Sequence, residues 1–296
     1  MTRMRLGEAV AAATRRLSAA GVPSPRADAE LLAAHLLGVS RGEVGRLALI
    51  GDTTAPAGYD HLVAERARRV PLQHLTGTAP FRDLELAVGP GVFVPRPETE
   101  DVAGAAIDAA NRLLASQPRV LVVDLCAGSA AIALAVATEV PQARVIAVEV
   151  SADARAWAAA NIAALAPGRV ELRAGDVTSQ QAAAELADLS GQVDVVVSNP
   201  PYIPPGQEPV DTEVRDYDPE EALYGGGPDG LAIPRAVIAL AADLLRPGGL
   251  LVMEHADVQR REVLAAVAAQ PGWTGVADHD DLAGRPRYLM ARRLPA

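Results

Sequence analysis

The amino-acid sequence predicts an α/β chain: a parallel sheet with helices on both faces, preceded by a small N-terminal helical bundle and a linking β-hairpin. Three observations carry this. Between residues 119 and 255, five short and almost wholly apolar runs alternate with stretches of helical pattern, as strands buried on both faces must. Residues 1–70 show helical spacing and helix caps. Residues 71–95 turn to tight-turn signals and period-two alternation. The domains read from this are a helical domain over 1–70, a linker hairpin over 71–95 and the sheet domain over 96–296.

The elements follow in order. Segment 4–20 places apolar residues at helical spacing. Ser24-Pro25 supplies a cap and a first-turn proline for a helix that ends at Gly38. Ser40 caps a third helix, and a fourth lies near 57–69 with the Arg66, Arg68 and Arg69 cluster. Turn signals at Gly77 and Pro80, then Leu84, Leu86 and Val88 in alternation, give the hairpin. Pro97 opens a helix to about Ser116. Strands are expected at 119–125, 144–150, 169–175, 193–198 and 249–255, with two more at 273–278 and 287–293. The run Gly225 to Gly230 follows no strand and reads as a flexible loop within the long Pro/Gly-rich stretch 203–230.

Composition narrows the function. A formal net charge of −10 gives poor long-range attraction to phosphate, so no direct nucleic-acid binding is expected. A single cysteine, Cys126, excludes an intrachain disulfide and any multi-cysteine zinc site. None of the five His suggests a metal. Glu8 and Arg15-Arg16 interrupt the N-terminal segment, and no run reaches 18 apolar residues. A cytoplasmic protein with no membrane span is expected.

In an open parallel sheet, ligands bind beyond the carboxyl ends of the strands. Those ends carry Asp124, Glu149, Asp176 just past the third strand, Asn199 and Glu254. Asp124-Leu-Cys-Ala-Gly-Ser-Ala130 joins the first strand to a helix through small residues that let a ligand approach the backbone. Glu149, 21 residues after Gly128, suits a carboxylate accepting both hydroxyls of a ribose. Only Gly128 stands where a dinucleotide site needs three glycines, and the chain has no Lys for a P-loop. A phosphate-free adenosine cofactor, S-adenosylmethionine, fits better. Asp124 would orient its amino-acid part, Glu149 its ribose and Asp176 its adenine amine.

The fourth strand ends in Ser198-Asn199-Pro200-Pro201-Tyr202. Neither proline can extend a ladder, and both stiffen the turn. The Asn199 side-chain oxygen and the Pro200 carbonyl can each accept one N–H of a planar NH₂ group. Those bonds strengthen as its nitrogen gains positive character. Tyr202 offers a face for stacking. Asn199, Pro200 and Tyr202 are therefore the candidate catalytic residues.

An acid ending strand two, Gly-Asp after strand three and Asn-Pro-Pro-Tyr after strand four resemble the class I, Rossmann-like S-adenosylmethionine-dependent amino-methyltransferases. Pro71-Leu72-Gln73-His74-Leu75-x-Gly77 with Phe81, then Phe93-Val-Pro-Arg96-Pro-Glu98-Thr-Glu100, resemble the HemK family more closely. The resemblance covers about 70–295, and the helical N-terminal domain matches that family's architecture. It implies N5-methylation of the glutamine in the Gly-Gly-Gln motif of peptide chain release factors, with S-adenosylhomocysteine as product. It also implies that the helices grip the release factor. Carried over by position, Cys126, Ala127, Gly128, Ser129, Ala130, Glu149, Val177 and Asn199 would contact the cofactor. Pro201 would join Asn199, Pro200 and Tyr202 around the glutamine, and Phe93, Pro95 and Arg96 to Glu100, Glu98 among them, would line the approach to the cofactor or substrate. The family loop is usually Gly-x-Gly-x-Gly; Cys126 and Ala130 here replace the outer glycines, at the cost of strain if either needs a positive φ. Two alternatives stand beside this reading: an N6-adenine methyltransferase on DNA or RNA, and a non-catalytic module of the same fold.

Overall fold

The computed structural model describes residues 4–295; residues 1–3 and 296 of the domains assigned above lie outside them. Contacts divide the chain into two compact units: residues up to Thr78 with Pro209–Tyr217, and Ala79–Glu208 with Asp218 onward.

The first unit is helical: α1 (Leu6–Ala19), α2 (Pro25–Leu37), α3 (Arg41–Ile50), α4 (Tyr59–Ala67) and α5 (Leu72–Thr76). Pro25 opens α2, and Gly38 ends it in the left-handed conformation at φ 65°. Ser24 makes no capping bond there, whereas Ser40 accepts from the Glu43 N–H and caps α3 as expected. Leu6, Val10, Leu17, Leu32, Val44 and Val63 form the core. Buried Tyr59 donates its phenol to the Ala29 carbonyl at 2.8 Å. Pro209–Tyr217, which includes α10 (Thr212–Tyr217), packs with this unit. Buried Arg66 holds it, bonding Asp28 at 2.7 Å and Glu213 at 2.7 Å. Arg69 grips Glu213 through two further bonds.

The second unit is the sheet. Within 71–95, β1 (Thr78–Phe81) and β2 (Leu84–Ala87) form a two-stranded ribbon, while 72–76 coils into α5. Then come α6 (Thr99–Leu114), β3 (Val120–Leu125), α7 (Ala131–Glu139), β4 (Ala143–Glu149), α8 (Ala152–Leu165), β5 (Val170–Ala174), α9 (Ala182–Glu185) and β6 (Val193–Ser198). After α10 follow α11 (Ala232–Leu244), β7 (Leu245–Glu254), α12 (Arg260–Ala268), β8 (Trp273–Asp280) and β9 (Pro286–Arg293). The order is β5-β4-β3-β6-β7-β9-β8. The first five are parallel; β9 runs antiparallel to β7 and to β8.

The apolar runs are strands because both of their faces are covered. Val122, Val145, Val195 and Val252 face the core under α6, α7 and α8. Their neighbours Val123, Ile146, Val196 and Leu251 face the core under α9, α11 and α12. Strand order reverses at β3, whose partners are β4 and β6. That reversal opens a crevice beyond the carboxyl ends of β3 and β6. No helix among the described residues is long and apolar enough to cross a membrane.

Candidate active site

Asp124 ends β3 almost wholly buried, at 1% exposure. Its Oδ2 accepts the Ala133 N–H of α7 at 3.0 Å, and its Oδ1 has no partner among the described residues. Burial pushes this carboxyl up to about 8, and the nearby Glu149 charge adds to the rise. A buried carboxylate oxygen without a donor is costly, and a cation is the ligand that would offset it.

The β3–α7 turn runs through three left-handed residues: Cys126 at φ 61°, Gly128 at 57° and Ala130 at 66°. The strain anticipated for Cys126 and Ala130 is therefore present at both. Glu149 holds this turn against the end of β4, its Oε2 accepting the Gly128 N–H at 2.7 Å and its Oε1 the Ser151 N–H at 2.8 Å. Each oxygen keeps a lone pair for a further donor. Ala127 donates to the Val148 carbonyl. Ser129 is buried, its carbonyl accepting from Asn161 Nδ2 at 3.1 Å. Asn161 on α8 also pairs with both backbone groups of Ala87 in β2, so one buried amide ties hairpin to turn. Burial also pushes the Cys126 thiol well above its usual range, which disfavours the nucleophilic thiolate. Past β5, Asp176 Oδ1 accepts from the Thr178 N–H and hydroxyl, and Val177 packs on the core under α11.

At the end of β6, Asn199 Nδ2 donates to Thr99 Oγ1 at 3.2 Å. Among the described residues, neither Asn199 Oδ1 nor the Pro200 carbonyl receives a hydrogen bond. The Tyr202 phenol donates to Glu254 Oε1 at 3.2 Å. The backbone beyond the prolines is clamped: Tyr202 and Ile203 N–H both donate to the Leu223 carbonyl, and Gln259 Nε2 donates to the Tyr202 carbonyl. Gly225 and Gly230 press against it. A Cβ on Gly230 would lie 2.3 Å from the Tyr202 oxygen, and one on Gly225 would lie 2.6 Å from the Pro201 oxygen. The run read as a flexible loop is thus a backbone buttress that only glycine permits.

Arg96 stacks over Phe93 at 5.0 Å and pairs with buried Asp218 at 2.5 Å. Glu98 stands as the cap residue of α6, its charge near Tyr202 and Glu254. Asn161 and Asp218 are positions that sequence reasoning did not single out, and Gly225 and Gly230 were named only as parts of a flexible loop. Thr99 lies inside the quoted Arg96–Glu100 stretch, and that was the only signal for it.

The buried acid with an open oxygen and the acid beneath a left-handed turn fit an ammonium and an uncharged ribose better than phosphate. This sheet order, with its antiparallel final strand and these strand-end residues, defines a class I S-adenosylmethionine-dependent methyltransferase. Comparison with known proteins agrees. Residues 8–77 match the family described as PrmC N-terminal domain, and 99–214 the methyltransferase small domain. A solved methyltransferase from Pyrococcus furiosus shares the fold, with a TM-score of 0.50 and 18% identity over 73% of this chain and 91% of that one. The release factor glutamine methyltransferase of Streptomyces coelicolor is 54% identical over 96% of both chains. That of Mycolicibacterium smegmatis is 51% identical over 99% of both. The chain belongs to the release factor glutamine methyltransferase family.

Proposed function

We infer that this chain methylates the side-chain amide nitrogen of the glutamine in the Gly-Gly-Gln motif of peptide chain release factors, in the cytoplasm and without membrane or nucleic acid. The carrying observation is the Asn199–Tyr202 turn. The Asn199 NH₂ is engaged by Thr99, which leaves Oδ1 as an acceptor that, like the neighbouring Pro200 carbonyl, has no partner among the described residues. A glutamine amide nitrogen is a weak nucleophile because its lone pair is delocalised. The two acceptors would take its two N–H bonds, fix its direction and strengthen as its nitrogen gains positive charge. Tyr202 would stack on the amide plane, and Phe93, Pro201, Arg96 and Glu98 would border its approach. S-adenosylmethionine supplies the electrophilic methyl group. Asp124 would hold its amino-acid part, Glu149 its ribose and Asp176 its adenine amine, while Cys126 to Ala130 and Val177 wall the cofactor. The helical unit would bind the release factor.

The test uses labelled cofactor with a release factor, its Gln→Ala variant and an adenine-containing duplex. Label on the wild-type factor alone is expected; label on the duplex would mark an adenine methyltransferase instead. Asn199→Ala should slow transfer on the order of 10²-fold while calorimetry still detects cofactor binding.

A further inference from the structure

Glu254 ends β7 and is 2% exposed. Its Oε1 receives the Tyr202 phenol, and its Oε2 has no partner within hydrogen-bond geometry among the described residues. The hydroxyl of Thr99, the first residue of α6, lies beside this carboxyl and favours its charged form. The same hydroxyl receives the Asn199 NH₂. One buried acid thus meets both ends of the Asn-Pro-Pro-Tyr turn, Tyr202 directly and Asn199 through Thr99. We propose that Glu254 is a positioning residue that, through the Thr99 hydroxyl, fixes which edge of the Asn199 amide faces the crevice.

An ionised carboxylate only accepts. Tyr202 then donates to it, and the Thr99 proton turns toward it. That leaves Thr99 Oγ1 as an acceptor, and the Asn199 group it can accept from is the NH₂. Oδ1 must then face outward, ready for a substrate N–H. A protonated Glu254 reverses the chain. Its O–H can donate to Thr99 Oγ1, the Thr99 proton needs a new acceptor, and a turned Asn199 amide supplies Oδ1. The NH₂ would then face a substrate NH₂, donor against donor.

The surroundings place this switch in a useful range. Burial pushes Glu254 up to about 7; Thr99, Arg287 on β9 and Tyr202 pull it down, and Glu98 pushes it up. Arg287 is itself tied to Asp281.

This inference rests on the amide-methylation reading, so its experiment has two readouts. The first is turnover on a release factor at saturating cofactor. Wild-type kcat should rise as pH crosses about 7. Glu254→Gln imitates the protonated acid and should lower kcat roughly 10-fold or more, flatten its pH dependence, and leave the Km for release factor within about 3-fold. Thr99→Val should behave alike, and Thr99→Ser should recover most of the loss. The second readout is the NMR titration of the wild-type protein without substrate. The Asn199 side-chain amide resonances should move with the Glu254 carboxyl and cease to do so in Thr99→Val. Unchanged kcat and pH profile in Glu254→Gln would overturn the proposal, and so would Asn199 resonances indifferent to Glu254. Coupled resonances in a protein that methylates no release factor would uphold the positioning role and refute the substrate assignment.

Discussion

Burying Asp124 with one oxygen unbonded works against the folded protein at neutral pH. Its folded pKa, about 8, is raised above the ordinary carboxylate value. The unfolded chain therefore holds fewer protons than the folded one between about pH 4 and 8. Stability is full below that window and falls as pH rises through it. Asp124→Asn keeps an acceptor for the Ala133 N–H and removes the charge. It should raise the melting temperature of the cofactor-free protein at pH 8, leave it little changed at pH 4, and cut cofactor affinity. A carboxylate awaiting a cation also predicts that cofactor affinity climbs with pH up to about 8, with proton release seen by calorimetry in buffers of different ionisation enthalpy. The neighbouring turn gives a second contrast. Nothing lies within 4 Å of a Cβ on Gly128, whose φ is 57°; Gly128→Ala should cost about 1–2 kcal/mol from backbone strain alone. Ala130 already bears that strain. Ala130→Gly relieves it but gives up a buried methyl worth about 0.8 kcal/mol and adds about 0.5–1 kcal/mol of chain entropy. The net change in urea unfolding should be close to zero.

At the scale of elements, the end of β6 is held by a loop with no regular structure of its own. Gly230→Ala sets a methyl against the Tyr202 carbonyl and the Pro204 nitrogen, both backbone atoms that cannot swing aside. It should displace the turn and cut methyl transfer by more than 10-fold by analogy with a misplaced catalytic contact. Cofactor affinity, which the proposed site draws from the ends of β3, β4 and β5, should stay within a few-fold. This buttress also marks where reading the chain stops. The central strands of the sheet were legible because runs such as VDVVVS are buried on both faces and admit few other structures; β5 and β8, more exposed, were legible by their place in the strand–helix alternation and near the C-terminus. Asp124, Glu149 and Asn199 were legible as strand ends. Gly225 and Gly230 were not, because a close backbone approach leaves the same residues as an open loop does. Nor was the bond from Asn199 to Thr99, 100 residues away, or Asp218, 122 residues from Arg96. Short α5, α9 and α10 span too few turns for periodicity to announce them.

Over the whole molecule, the segment between the Asn-Pro-Pro-Tyr turn and its glycine buttress crosses from one unit to the other. Residues up to Glu208 and from Asp218 belong with the sheet, while Pro209–Tyr217 belongs with the helices. Its anchor is ionic. Arg66, 5% exposed, bonds Asp28, Glu213 and the Val70 carbonyl. Arg66→Met would leave two carboxylates short of their shared cation, one of them relieved only by Arg69. Removing one partner of a buried ionic group typically costs about 3–5 kcal/mol, and urea unfolding should show a loss of that order. The loss should depend on pH with a definite sign. Burial raises the Glu213 pKa, but the hydrogen bonds from Arg69 and Arg66 outweigh it and hold the carboxyl at about 2. The stabilisation is therefore present in full above the ordinary glutamate range and disappears as pH falls toward about 2. Glu213→Gln should be clearly less stable than wild type at pH 6 and converge with it under strong acid. If the anchor also holds the segment in place, trypsin should cleave the variant after Arg215 faster than the wild type at pH 7. Equal cleavage rates with an undiminished urea midpoint would show that the rest of the helical unit, not this ion cluster, keeps the segment in place.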